Sequence, residues 1–216
     1  MPNRAGLAFR HGMGTNNPWL LAGMIVAIAL LAKGWLDDCR AASNSRPNPR
    51  ALPGAMPASR RVILVAITGA LLLLVVETGG EYALGLTAQQ SRMSGLFALY
   101  TLAAAFAEEL VFRGYLVVEN RGRSALLAGI IGASLGFALL HPFLWEWQEG
   151  ALTFHGGAKA WFSTTMIFAG SLWFYAVRFL PLNSTRSLLP CIAAHAAKNL
   201  GVFAVKYAQG FVSDWW

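Results

Sequence analysis

The chain has 216 residues, of which 56% are hydrophobic and only 12% charged, with a formal net charge of +7. A soluble domain is usually about half apolar and about a quarter charged, so too little polar surface is present to wrap a soluble globule of this size. That excludes a soluble enzyme, a disordered chain and a disulfide-rich secreted domain, and leaves an integral membrane protein. Its basic loops follow from topology and are not read as nucleic-acid binding.

A bilayer core needs about 20 mostly apolar residues per helix. Six stretches meet that requirement, at residues 18–36, 62–82, 93–112, 124–145, 158–180 and 187–207. They lie between an N-terminal tail, 1–17, and a C-terminal tail, 208–216. The expected fold is all-α, a polytopic transmembrane bundle of about six spans. Continuous rather than alternating apolar runs give no β-barrel signal. Cys39 and Cys191 are too few for a disulfide framework and read as unpaired.

The first stretch carries Lys33 near its end, placed to snorkel. Behind Arg4 and Arg10 it resembles a signal peptide, but no clear small-x-small site follows, so an uncleaved span is expected. Residues 37–60 hold Pro47, Pro49, Pro53 and Pro57 with Arg40, Arg46, Arg50 and Arg60, and read as an extended loop at the membrane surface.

The second stretch carries Glu77 and Glu81, four apart and mutually repelling. They are expected to be solvated near Gly79 and Gly80, the alternative being a wall of a catalytic cavity. The third reads Ala107-Glu108-Glu109-Leu110-Val111-Phe112-Arg113. Glu109 and Arg113 share a face, acid first, and can pair. Glu108 sits about 100° round the helix and has no local partner, so it faces another helix or a water-filled cavity. Ionisable groups inside spans are functional candidates by default.

The fourth stretch ends Phe137-Ala138-Leu139-Leu140-His141-Pro142. Residues 146–157, with Glu149 and His155, read as a loop. In the sixth, His195 and Asn199 share one face among Ala193, Ala194, Ala196 and Ala197, small residues that let helices approach. The neighbouring Lys198 either snorkels or meets a substrate carboxylate. Trp19, Trp35, Trp145, Trp147 and Trp161 fall near span ends, as in aromatic belts.

The loops after spans one, three and five hold Arg40, Arg46, Arg50, Arg60, Arg61, Arg121, Arg123, Arg178 and Arg186. The other side holds Arg4, Arg10, Arg92, Lys159 and Lys206. The excess favours cytoplasmic odd-numbered loops and an N-terminus outside, whereas Arg4, Arg10 and the terminal amine argue locally for the reverse. Were the third helix to end near Glu119, Glu108 would lie about 16 Å from that turn and His141 about 25 Å, at about 1.5 Å per residue. Tilt and side-chain reach can close that difference. The expectation is a long third helix, with both groups in the membrane half away from Arg121 and Arg123.

Glu108-Glu109-x-x-x-Arg113, Phe137-x-x-x-His141 and His195-x-x-x-Asn199 resemble, in order, the three motifs of the CPBP family of CAAX proteases and bacteriocin-processing enzymes, also called the Abi family. The resemblance covers residues 93–207. It implies an intramembrane endopeptidase of a compact prokaryotic type, in an inner or plasma membrane. It acts near the C-terminus or on the leader of a membrane-associated or lipidated protein, with membrane lipid as its surroundings.

By the resemblance, Glu108 is the base that activates water and His141 helps hold that water. His195 and Asn199 stabilise the oxyanion, and Glu109 and Arg113 support the site. No cofactor is expected. The alternative is a catalytic zinc held by Glu108, His141 and His195, although the His-Glu-x-x-His signature is missing. Two further alternatives stand outside proteolysis. One is a bacteriocin-immunity or interaction protein on the same fold. The other is a proton-coupled transporter using Glu77, Glu81, Glu108 and the two histidines, against which there is no inverted repeat.

Overall fold

The computed structural model describes residues 17–148 and 150–216. Arg4, Arg10 and His11 of the N-terminal tail, Glu149, and the side chains of Glu146, Trp147 and Gln148 lie outside the described residues.

Six α-helices make the body: α1 (Pro18–Ser43), α2 (Arg60–Ala83), α3 (Gly95–Glu109), α4 (Arg123–Leu139), α5 (Ala158–Phe179) and α6 (Leu189–Ala208). Three start on side-chain caps, which satisfy N–H groups that a helix end leaves bare. Asn17 Oδ1 accepts from Trp19 N and Leu20 N at 3.0 and 3.2 Å, ahead of Pro18. Ser59 Oγ accepts from Val62 N and Ser94 Oγ from Phe97 N. α3 does not stop at Glu109 but runs on as one π-helical turn, Leu110–Tyr115.

α1, α2, α5 and the α3 run Gly95–Tyr115 are each long and apolar enough to cross a membrane. α4 is apolar but shorter. It ends at Leu139 rather than running on to Trp145, because Pro142 forces His141 into an extended conformation, φ −66° and ψ 131°. Beyond it the expected loop contains a hairpin, β1 (Trp145–Gln148) with β2 (Ala151–Phe154), antiparallel, Trp145 opposite Phe154.

The helices run alternately up and down, since the connections meet at two ends. At one end, Thr185 Oγ1 donates to Pro57 O (2.8 Å), Ser187 Oγ to Met56 O (2.5 Å) and Leu188 N to Gly54 O (3.0 Å), and Arg186 pairs with Glu119. At the other, Met93 N donates to Phe211 O (2.9 Å) and Lys206 Nζ to Ser91 O (2.6 Å). α6 lies among α2, α3 and α5; α1 covers α3, and α4 covers α5.

Residues 37–60 are not a loop lying free on the surface. α1 continues through to Ser43, and the rest is tied down by the bonds just given. Leu52 N also donates to Asp38 Oδ2 (2.9 Å). Trp35 is buried rather than interfacial. Its indole donates to Pro53 O (3.0 Å) and meets Phe106 edge-on. The indole N–H needs an acceptor once buried, and the folded loop supplies it. Cys39 and Cys191 are buried and unpaired.

Candidate active site

Glu108 and Glu109 close α3 and diverge as their spacing dictates. Glu109 is fully buried, whereas the Glu108 side chain keeps 38% of its surface. The π-turn then brings Arg113 back beneath Glu109, with Nη1 3.1 Å from Oε1 and neither side chain exposed. The same oxygen lies 2.8 Å from His195 Nδ1. A carboxylate oxygen accepts, so Nδ1 carries the proton. That turns His195 Nε2 toward Glu108, 3.6 Å from Oε2.

The site's centre is therefore a short polar chain, Arg113–Glu109–His195, ending against Glu108. Aromatic rings wall it in. Phe174 stacks on His195 with centroids 4.9 Å apart and 24° between planes, and Phe137 meets the ring edge-on at 6.1 Å. The Arg113 guanidinium lies 4.8 Å from the Phe137 centroid, 5.3 Å from Phe174 and 5.0 Å from Tyr175. Such faces attract a cation where water does not reach.

His141 lies past the end of α4. Its Nδ1 donates to Phe137 O at 2.8 Å, which leaves Nε2 as an acceptor. His195, Lys198 and Glu77 are its charged and titratable neighbours. Asn199 lies one turn beyond His195 and is turned to α3, Nδ2 donating to Thr101 O at 2.9 Å. There it lines an apolar cleft with Ala98, Leu102, Phe203 and Trp215. The structure thus gathers Glu108, Glu109, Arg113 and His195, places His141 against Phe137, whose ring also meets His195, and holds Asn199 two turns down α3.

Depth differs from the expectation. The helical run ends at Tyr115, so Glu108 lies about 10 Å from that end, and His195 about 9 Å from the start of α6 at Leu189. Glu108 and His195 thus sit nearer the arginine-rich end rather than away from it, whereas His141, just past the end of α4 and about 24 Å along that helix from Arg123, lies on the expected side. No long third helix is needed, because the chain after Tyr115 lies along α4, Val118 packing on Gly129.

Glu77 and Glu81 are not solvated. Lys198 Nζ donates to Glu77 Oε2 at 2.7 Å, and Glu81 is buried against Lys159 and Gln90. Lysines on α5 and α6 supply the opposite charge that an isolated reading of α2 lacks. Sequence reasoning also passed over Ser134, Ser171 and Tyr175, although polar groups in apolar helices were a signal that could have found them.

The nitrogens of His141 and His195 are disposed as in metal-binding histidines, Nδ1 bonded away and Nε2 free. However, among the described residues no three His, Cys, Asp or Glu side chains stand close enough together to hold a metal ion.

A helical membrane bundle with a carboxylate and a histidine facing one another inside it has the parts of a membrane hydrolase. The chain matches the family model described as type II CAAX prenyl endopeptidase Rce1-like over residues 90–201, more than half its length, and it belongs to that family. No curated protein and no solved structure matches it.

Proposed function

We propose that the protein is an intramembrane endopeptidase in which Glu108 activates water. The supporting observation is the facing pair Glu108 and His195, 3.6 Å apart, with His195 held from behind by Glu109 at 2.8 Å. The gap is too long for a direct hydrogen bond and suits a water that both groups touch.

In this reading Glu108 takes a proton from water as its oxygen adds to the scissile carbonyl. The proton passes to the departing amide nitrogen as the C–N bond breaks, leaving a carboxylic acid and an amine. His195 Nε2 faces the developing oxyanion, where a donor is worth about 3–4 kcal/mol. His141 Nε2 accepts from the water. Asn199 joins His195 at the oxyanion by releasing Thr101 O when substrate seats. The reaction needs no metal. The substrate is a lipidated protein at the membrane, cut near its C-terminus, in keeping with the family's prenyl endopeptidase name.

The test is a purified, lipid-reconstituted enzyme offered prenylated and unmodified peptides. Cleavage of the prenylated set is expected, lost by at least about 10³-fold in Glu108→Gln and unaffected by a zinc chelator. Turnover by Glu108→Gln, or zinc-dependent turnover, would overturn the assignment.

A further inference from the structure

α5 carries none of the family-like motif residues, yet three of its side chains, within little more than one turn, face the polar chain behind Glu108. Ser171 Oγ is bonded to Arg113 Nη2 at 2.6 Å and to Ser134 Oγ of α4 at 3.0 Å, all buried. Phe174 lies flat on His195. Tyr175 is 1% exposed and its hydroxyl donates to Phe112 O at 2.5 Å.

The last contact explains how the π-turn persists. A π-turn shifts the backbone ladder by one residue. Leu116 N, which an α-helix would send to Phe112 O, goes instead to Val111 O at 2.9 Å, and a carbonyl left inside a bundle needs another donor. The Tyr175 hydroxyl fills that place. The turn it stabilises is the one that swings Arg113 under Glu109. π-turns recur at functional sites because they re-aim one side chain without ending a helix.

The geometry points to Tyr175 and Ser171 as positioning residues: they hold the π-turn and Arg113, which fixes Glu109 on His195 and so presents His195 Nε2 to Glu108. Neither touches the reacting atoms. The inference rests on reading Glu108 and His195 as the reacting pair.

Tyr175→Phe removes one oxygen and keeps the ring against Arg113, so it tests the hydroxyl alone. In reconstituted enzyme it is expected to lower kcat about 10-fold with KM unchanged, the usual scale for a lost orienting partner. A purely structural hydroxyl would lower the unfolding midpoint and leave kcat alone well below it. Ser171→Ala should act likewise. Tyr175→Phe combined with Arg113→Lys should cost less than the sum of the two, since both act through one chain.

The direct readout is the Nδ1–H proton resonance of His195, assigned by its loss in His195→Gln. Tyr175→Phe should move it upfield as the bond to Glu109 loosens. Unchanged kcat and an unmoved resonance would overturn the inference. A moved resonance in a protein that cleaves no peptide would keep the positioning chain and overturn the endopeptidase reading instead.

Discussion

Arg113 is a basic residue at a position with no exposed surface, paired with Glu109 inside the bundle. Its guanidinium is held by one carboxylate, one serine and a ring of aromatic faces. Its Nε and Nη1 have no hydrogen-bond acceptor among the described residues. Removing one partner of a buried pair strands the other, at a cost of about 3–5 kcal/mol. Glu109→Gln should therefore cost both stability and activity, whereas Glu108→Gln, at a half-exposed side chain, should cost activity and change stability by no more than about 0.5 kcal/mol. Unfolding midpoints of the two variants in one detergent check this, and equal midpoints would contradict it. The Glu109–Arg113 spacing was legible as a pair because both partners lie on one helix. The bond from Glu109 to His195 joins residues far apart in sequence, and only packing discloses which of the two carboxylates it reaches.

Elements follow the same division between local and distant causes. Six apolar stretches became six helices, since period and length are properties of a short window. Pro142 ended α4 early, which a window of apolar residues hides although the proline itself announces it. The π-turn and the tied-down loop from 44 to 59 were not legible. Both depend on acceptors and donors offered by another part of the chain, Tyr175 for one and Trp35, Ser187 and Leu188 for the other.

Close approach of α2 is likewise a relation between elements. Trp173 of α5 lies across Gly69, its ring filling the place where a Cβ would stand, and its indole donates to Ala66 O at 3.0 Å. Gly69→Val must push the ring out and break that bond. Overpacking of this kind costs about 1–3 kcal/mol. Gly23 of α1 has nothing within 4 Å of that position, so Gly23→Ala should hold or slightly raise stability through helix propensity alone. Thermal unfolding of the two variants separates them, and equal loss would refute the packing account.

At the scale of the whole molecule, the two ends of the bundle differ in charge in a way that orients it. Arg46, Arg50, Arg60, Arg61, Arg121, Arg123 and Arg186 are exposed at the end where the loops after α1, the π-turn and α5 meet. The opposite end draws its lysines inward, Lys159 to Glu81 and Lys206 to Ser91 and Gln90. Those lysines are neutralised or hydrogen-bonded within the bundle and weigh less in topology than free arginines. The positive-inside tendency then puts the arginine-rich end in the cytoplasm. With that orientation, Glu108 and His195, about 10 Å from the arginine-rich end, would lie in the cytoplasmic half of the bilayer, which is the prediction to test. Arg50→Cys and Arg121→Cys should react with a membrane-impermeant maleimide in inside-out vesicles. Gln89→Cys, exposed at the other end, should react in right-side-out vesicles or intact cells. The native thiols, both buried, leave a low background. The reverse labelling pattern would turn the molecule over and move Glu108 and His195 to the outer half.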